Sequence, residues 1–192
     1  ALLARSGMSA PLLERGGLDH GIWTALRYLY PQADMPVLPL ALVPDQTPAA
    51  LFALGAALAP LRAQGVLVLG TGSITHNLRL VFAQRPAAIA QRHGADTRAS
   101  DEMLESRAFR DWMAERSAAR DWDALFAYRT SAPHAVLMHP TDEHLLPWFP
   151  AAGAGGRDAA PLRLHDAVTL RALGMDCYAF GSGAPALQAA LA

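Results

Sequence analysis

The stretch GVLVLGTGSITHNLRL, residues 65–80, passes from an apolar run into two glycines, then a serine and a histidine. Two readings compete for it: a phosphate cradle of the dinucleotide-binding kind, or a turn that presents His76. The apolar part, GVLVLGTG at 65–72, reads as a buried strand, and MPVLPLAL at 35–42, bounded by prolines, reads as another. Between them, TPAALFALGAALAPLRAQG opens with Thr47 as N-cap and Pro48 at the first helical position. It carries Leu51, Leu54, Leu58 and Leu61 at helical spacing and ends at Gly65, a suitable C-terminal cap. Strand, helix, strand predicts a right-handed parallel crossover. The expected class is therefore α/β, one domain over residues 1–192 with a central mixed, largely parallel β-sheet flanked by helices.

Working outward, GIWTALRYLY at 21–30 places Ile22, Leu26 and Leu29 on one helical face and is stopped by Pro31. Residues 100–133 read as two helices, the first capped by Ser100, with Met103, Phe109 and Met113 in the core and the charges between them on a solvated face. HPTDEHLLPWF at 139–149 has the pattern of a helix start with Thr141 as N-cap, and AAGAGGRDAAP at 151–161 reads as a flexible loop. MDCYAFGSG at 175–183 supplies a last strand and APALQAALA a final short helix.

Composition narrows the function. With 52% hydrophobic and 17% charged residues the chain is globular, and a formal net charge of −1 gives no electrostatic footprint for nucleic acid or an acidic membrane. A small or neutral partner is expected. Cys177 is the single cysteine, so there is neither an internal disulfide nor a thiolate cluster, and a reducing, cytoplasmic setting fits. No apolar run reaches the roughly 20 residues that cross a bilayer, and no signal peptide is legible.

The glycines of the opening stretch do not complete a dinucleotide motif. The third glycine of G-x-G-x-x-G is replaced by Thr75, and no acidic residue ends a second strand about 20 residues later. Ser73 lacks the glycine two places on that a nucleophile elbow requires. What is left is a glycine turn that aims His76. Of seven histidines, His20, His76 and His144 sit where a strand or loop delivers a side chain to the end of an element. His93, His134 and His165 read as structural or surface residues. In open α/β sheets ligands bind beyond the carboxyl ends of strands, which is the address of His76. His20 precedes a helix between Asp19 and Gly21, and His144 shares a helix start with Asp142 and Glu143. Imidazole and carboxylate without sulfur suit Fe(II), Zn or Mn, so a metal or acid/base site is expected.

Four ordered blocks, GLDHGIWTAL, VLVLGTGSITHNLR, DWDALFAYRTSAPHA and HPTDEHLLPWFPAAGAGG, together resemble the class III extradiol ring-cleaving dioxygenases, in the 4,5-DOPA dioxygenase branch of the LigB-like family. The resemblance spans nearly the whole chain. It implies cleavage of a catechol ring by dioxygen at a non-heme Fe(II), with zinc able to occupy the same site without supporting the redox chemistry. Carried over by motif, the His of THNLR is His76, a metal ligand or the acid/base group beside the metal. The His of DEHLLP is His144, a metal ligand, with Glu143 the carboxylate alternative. The His of LDHG is His20, hydrogen-bonded to a substrate hydroxyl or to dioxygen. The implied partners are a small aromatic diol and O2, with a homo-oligomer left open. Two further histidine motifs of the family, HGSP-like and SAHW-like, do not occur in these residues, so part of the N-terminal family fold and its ligands is expected to be missing. The competing readings are a catalytically inactive metal-binding member with a structural or regulatory role and, on GTGS alone, a nucleotide-dependent oxidoreductase.

Overall fold

The computed structural model of the chain describes residues 2–43, 45–83 and 102–191. Ten α-helices are described: α1 (Leu2–Arg5), α2 (His20–Leu29), α3 (Pro48–Leu58), α4 (Leu78–Ala83), α5 (Leu104–Ala119), α6 (Trp122–Phe126), α7 (Tyr128–Ser131), α8 (Ala135–Met138), α9 (Trp148–Gly155) and α10 (Ala184–Leu191). Four short strands, β1 (Leu162–His165), β2 (Val168–Thr169), β3 (Leu173–Gly174) and β4 (Cys177–Ala179), stand between α9 and α10. The mixed α/β class is as expected, and the sheet is small. None of the described helices is long and apolar enough to cross a membrane.

The helix at 47–65 forms as its caps dictate. Thr47 accepts the Ala50 N–H at 3.2 Å, Pro48 sits at the start of α3, and a 3₁₀ turn over Ala59–Gln64 closes on Gly65 in the left-handed region at φ 77°. The flanking strands do not. Residues 35–42 and 65–72 carry no β-pairing, and Leu38 and Leu67 are 82% and 64% exposed. A strand exists only through a neighbour's hydrogen bonds, and no β-ladder among the described residues reaches these two. The parallel crossover is accordingly absent among the described residues. Both pairings, β1 with β4 and β2 with β3, are antiparallel.

What α3 does instead is pack against α9. A Cβ on Gly55 would lie 1.9 Å from the Pro150 carbonyl oxygen, and one on Gly153 would lie 1.9 Å from that of Phe52. Backbone therefore touches backbone at both glycines, which is why residues 151–155 form a buried helix rather than the flexible loop that their composition predicts. Their glycines serve close approach, not freedom. Around this contact Leu51, Phe52, Phe109, Met113, Leu125, Tyr128, Leu145 and Phe149 form the core, with the Phe52 and Trp122 rings 4.7 Å apart.

Helix α5 begins at Leu104, after Met103, while the Ser100 cap and His93 lie outside the described residues. Its charged face is not wholly solvated. Arg110 is buried and donates both Nε (2.7 Å) and Nη2 (2.9 Å) to Asp176, Nη1 to both oxygens of Glu102 at 2.9 Å, and Nη2 to Asp166. The Glu102 and Asp176 carboxylates are almost entirely enclosed. Although burial opposes its charge, the hydrogen-bonded Asp176 and Glu102 hold the Arg110 guanidinium well above its ordinary range. Glu102 also accepts from the Ser106 hydroxyl at 2.8 Å, and Ser106 meets the Thr75 hydroxyl at 3.2 Å. Thus a buried ion cluster reaches the residue before His76.

Candidate active site

The chain from Ser73 to Asn77 is held from two sides. On one side it joins β3: Ile74 N–H donates to the Gly174 carbonyl at 2.8 Å, and Gly174 N–H returns to the Thr75 carbonyl at 3.1 Å and to its hydroxyl at 2.8 Å. Ser73 Oγ lies 2.9 Å from the Gly174 carbonyl and 2.8 Å from that of Thr75, so its proton is engaged with backbone. That leaves Ser73 a poor nucleophile.

On the other side the same five residues are laced to 137–144. Ser73 N–H donates to the His144 carbonyl (2.8 Å), His139 Nε2–H to the Ile74 carbonyl (2.7 Å), His76 N–H to the Met138 carbonyl (3.0 Å) and Asn77 Nδ2–H to the Leu137 carbonyl (2.7 Å). Asn77 Oδ1 also accepts the Arg79 and Leu80 N–H groups, capping α4. The lace sets two remote segments antiparallel. Its consequence is that the His76 and His144 rings stack with centroids 3.5 Å apart and planes 13° from parallel.

Gly70 and Gly72 explain how the lace closes. Neither has a positive φ, so they are not the turn expected of them. A Cβ on Gly72 would lie 2.0 Å from the His144 carbonyl oxygen, and one on Gly70 would lie 2.1 Å from that of Pro147. The glycines are occupied by the protein's own backbone, which removes the basis for a phosphate cradle. Nor does a helix start at Thr141. Residues 141–147 form turns, Thr141 Oγ1 donates to Glu143 Oε1 at 2.8 Å, and α9 begins only after Pro147.

Electrostatics favour a neutral imidazole at His76. Burial, then the neighbouring His144, lower the His76 pKa against a smaller opposing pull from Glu143. Glu143 Oε1 lies 3.2 Å from His144 Nδ1. Partial burial works against the Glu143 carboxylate, but a backbone N–H, the Thr141 hydroxyl and the two imidazoles hold its pKa below the usual range. The cluster therefore combines two side-by-side imidazoles with an ionised carboxylate.

Of the four side chains expected at the site, the structure brings together His76, His144 and Glu143. His20 stands apart, exposed at the start of α2, which Asp19 caps by accepting the Ile22 N–H at 3.1 Å, and its ring meets Trp23 edge-on at 5.5 Å. A Cβ on Gly21 would be 3.6 Å from Thr71 Oγ1, so α2 starts beside the stretch that leads to His76. Sequence reasoning overlooked His139 and Asn77. An Asn ahead of LRL was a legible cap signal, whereas nothing local marked His139.

The donor chemistry fits a divalent first-row metal, since His76 and His144 offer imidazole nitrogen and Glu143 oxygen. Their lone pairs lie in nearly parallel ring planes, so a shared ion requires the rings to splay. No group of three or more His, Cys, Asp or Glu side chains able to hold a metal is formed among the described residues. The described residues thus contribute a pair of donors.

Residues 3–181 match the family model described as the catalytic LigB subunit of aromatic ring-opening dioxygenase. The chain is 33% identical over 166 residues to a 4,5-DOPA dioxygenase extradiol of Beta vulgaris, covering 86% of this chain and 57% of that protein. It is 32% identical over 182 residues to one from Portulaca grandiflora, covering 94% and 62%. A crystal structure of an uncharacterized protein from Escherichia coli K12 superposes with a TM-score of 0.68 at 25% identity, over 86% of this chain and 63% of that one. The chain thus spans little more than half the length of its curated relatives.

Proposed function

The chain belongs to the family of the catalytic LigB subunit of aromatic ring-opening dioxygenases, and on that premise we propose that its His76–His144 site takes part in the extradiol opening of a catechol-type ring by O2. The observation that carries the reading is the stacked pair itself, assembled by a dedicated lace, with burial lowering the pKa of His76. His76 and His144 would hold Fe(II), with Glu143 as the alternative donor and zinc as a competing, redox-inert occupant. The metal, when bound, supplies Lewis acidity toward the catechol oxygens and a redox centre for O2.

The residues of this chain do the remaining work. A catechol hydroxyl must lose a proton to bind as an anion, and with His76 beside the metal instead of on it, its neutral imidazole accepts that proton at a ring nitrogen and can return it during ring opening. Glu143 stays ionised and steadies the imidazolium that forms on His76 in that role. His20, at the head of α2, is proposed to hydrogen-bond a substrate hydroxyl or dioxygen. A DOPA-like catechol is the proposed substrate, in keeping with the names of the relatives. One domain over 1–192 and a cytoplasmic setting remain part of this proposal.

The test is anaerobic reconstitution of the intact protein with Fe(II), followed by oxygen uptake with a simple catechol. Oxygen consumption stoichiometric with ring-opened product is expected, and it should vanish in His144→Ala. Iron bound without oxygen consumption would instead favour the inactive metal-binding reading, which draws on the finding that two histidines, not three, converge among the described residues.

A further inference from the structure

His139 is a fully buried histidine with no role in the reaction proposed above, packed 5.3 Å from the Phe109 ring. Its Nε2 lies 2.7 Å from the Ile74 carbonyl oxygen, although the two residues are 65 positions apart in sequence. A carbonyl only accepts, so Nε2 carries the proton and Nδ1 is bare. Nδ1 is buried and without a hydrogen-bond partner. An enclosed, half-satisfied imidazole is costly to keep where a leucine would fill the same space.

The location explains what it maintains. Among the described residues, His139 supplies the only side-chain rung between Ser73→His144 and His76→Met138, the backbone rungs that flank it. The backbone of His139 is itself clamped, because Arg129 Nη1 donates to its carbonyl at 2.8 Å and also to Asp142. The ring thus reaches from a fixed segment to a carbonyl two residues before His76. We propose that His139 is a positioning residue: as the Nε2–H tautomer it sets the separation of His76 and His144 through the Ile74 carbonyl, so that the two rings meet as a pair of metal donors. This rests on the reading of His76 and His144 as metal-holding residues.

Glutamine places an amide N–H near the level of Nε2, whereas asparagine stops short and leucine offers no donor. The probe is Zn(II) affinity measured by calorimetry on intact apo-protein, with Co(II) absorption reporting coordination. His139→Leu and His139→Asn should bind Zn(II) at least tenfold more weakly with an altered Co(II) spectrum, and His139→Gln should restore affinity to within about threefold. Met113→Ala, a core truncation away from the lace, serves as a control for general destabilisation and should bind as wild type does. If His139→Leu does not fold, the Gln and Asn pair decides the matter. Leu and Asn variants that bind as tightly as wild type, or a Gln variant as weak as they are, would overturn the role of His139. Loss of Zn(II) affinity in Met113→Ala equal to that in His139→Leu would overturn it too. Unchanged binding in His144→Ala would sink the metal-holding reading itself, a separate result.

Discussion

The imidazoles of His76 and His144 lie face to face at 3.5 Å, each delivered by a different segment of the lace. Two stacked rings cannot both become imidazolium without like-charge repulsion, so His144 opposes the protonation of His76 and leaves its nitrogen available to a metal once the rings splay. Replacing either histidine by alanine should lower Zn(II) or Fe(II) affinity by at least tenfold while leaving the helical circular dichroism unchanged. Metal content after dialysis against a fixed free-metal concentration checks this. Full occupancy in either variant would remove that residue from the ligand set.

Acid sensitivity follows from His139. Burial above all lowers its pKa from 6.5 to about 4. In the unfolded chain it binds a proton near pH 6.5, in the folded chain only near pH 4, so the unfolded state holds more protons between these values. Stability is complete above about pH 6.5 and declines as pH falls through that window, by up to about 3 kcal/mol at roughly 1.4 kcal/mol per pH unit. His76, also lowered, adds in the same direction. Urea unfolding between pH 4 and pH 7 should show this slope in the wild type and a slope shallower by nearly one proton in His139→Gln.

Gly72 separates close approach from chain flexibility. An added methyl would press on the His144 carbonyl, and overpacking of this kind costs about 1–3 kcal/mol or more. Gly72→Ala should therefore weaken metal binding as well as stability, because the displaced segment carries His144. Gly55→Ala presses on Pro150 in the core contact of α3 with α9 and should lower the melting temperature while the folded fraction keeps its metal affinity. Equal metal affinity in both variants would contradict the assignment of Gly72 to the site.

Arg110 offers the largest stability effect. In Arg110→Met, the enclosed carboxylates of Glu102 and Asp176 lose their nearest counter-charge and, among the described residues, keep only Arg107 at 3.8 Å and Arg163 at 3.3 Å. Removal of one partner from a buried ion pair costs about 3–5 kcal/mol. The loss should be visible in chemical denaturation at pH 7. A variant as stable as wild type at pH 7 would show the cluster to be dispensable.

The sequence by itself determined whatever depends on neighbours in the chain. Thr47, Pro48 and Gly65 begin and end their helix through backbone groups a few residues away, and Pro31 stops α2 in the same manner. The blocks around His76 and His144 were likewise legible as ordered motifs. Pairing and enclosure were not. GVLVLGTG has a strand's composition, yet a strand needs a partner's hydrogen bonds, and among the described residues the first β-bridge comes beyond it, between Thr75 and Gly174. The glycines of 151–155 spell a loop until Gly55 and Phe52 lie against them. Arg110 looks like any surface charge on a helix until Glu102, Asp166 and Asp176 enclose it. Only tertiary structure brought His139 to the Ile74 carbonyl and His76 to His144, because hydrogen bonding and ring contact act across a few ångströms of space, whatever the distance along the chain.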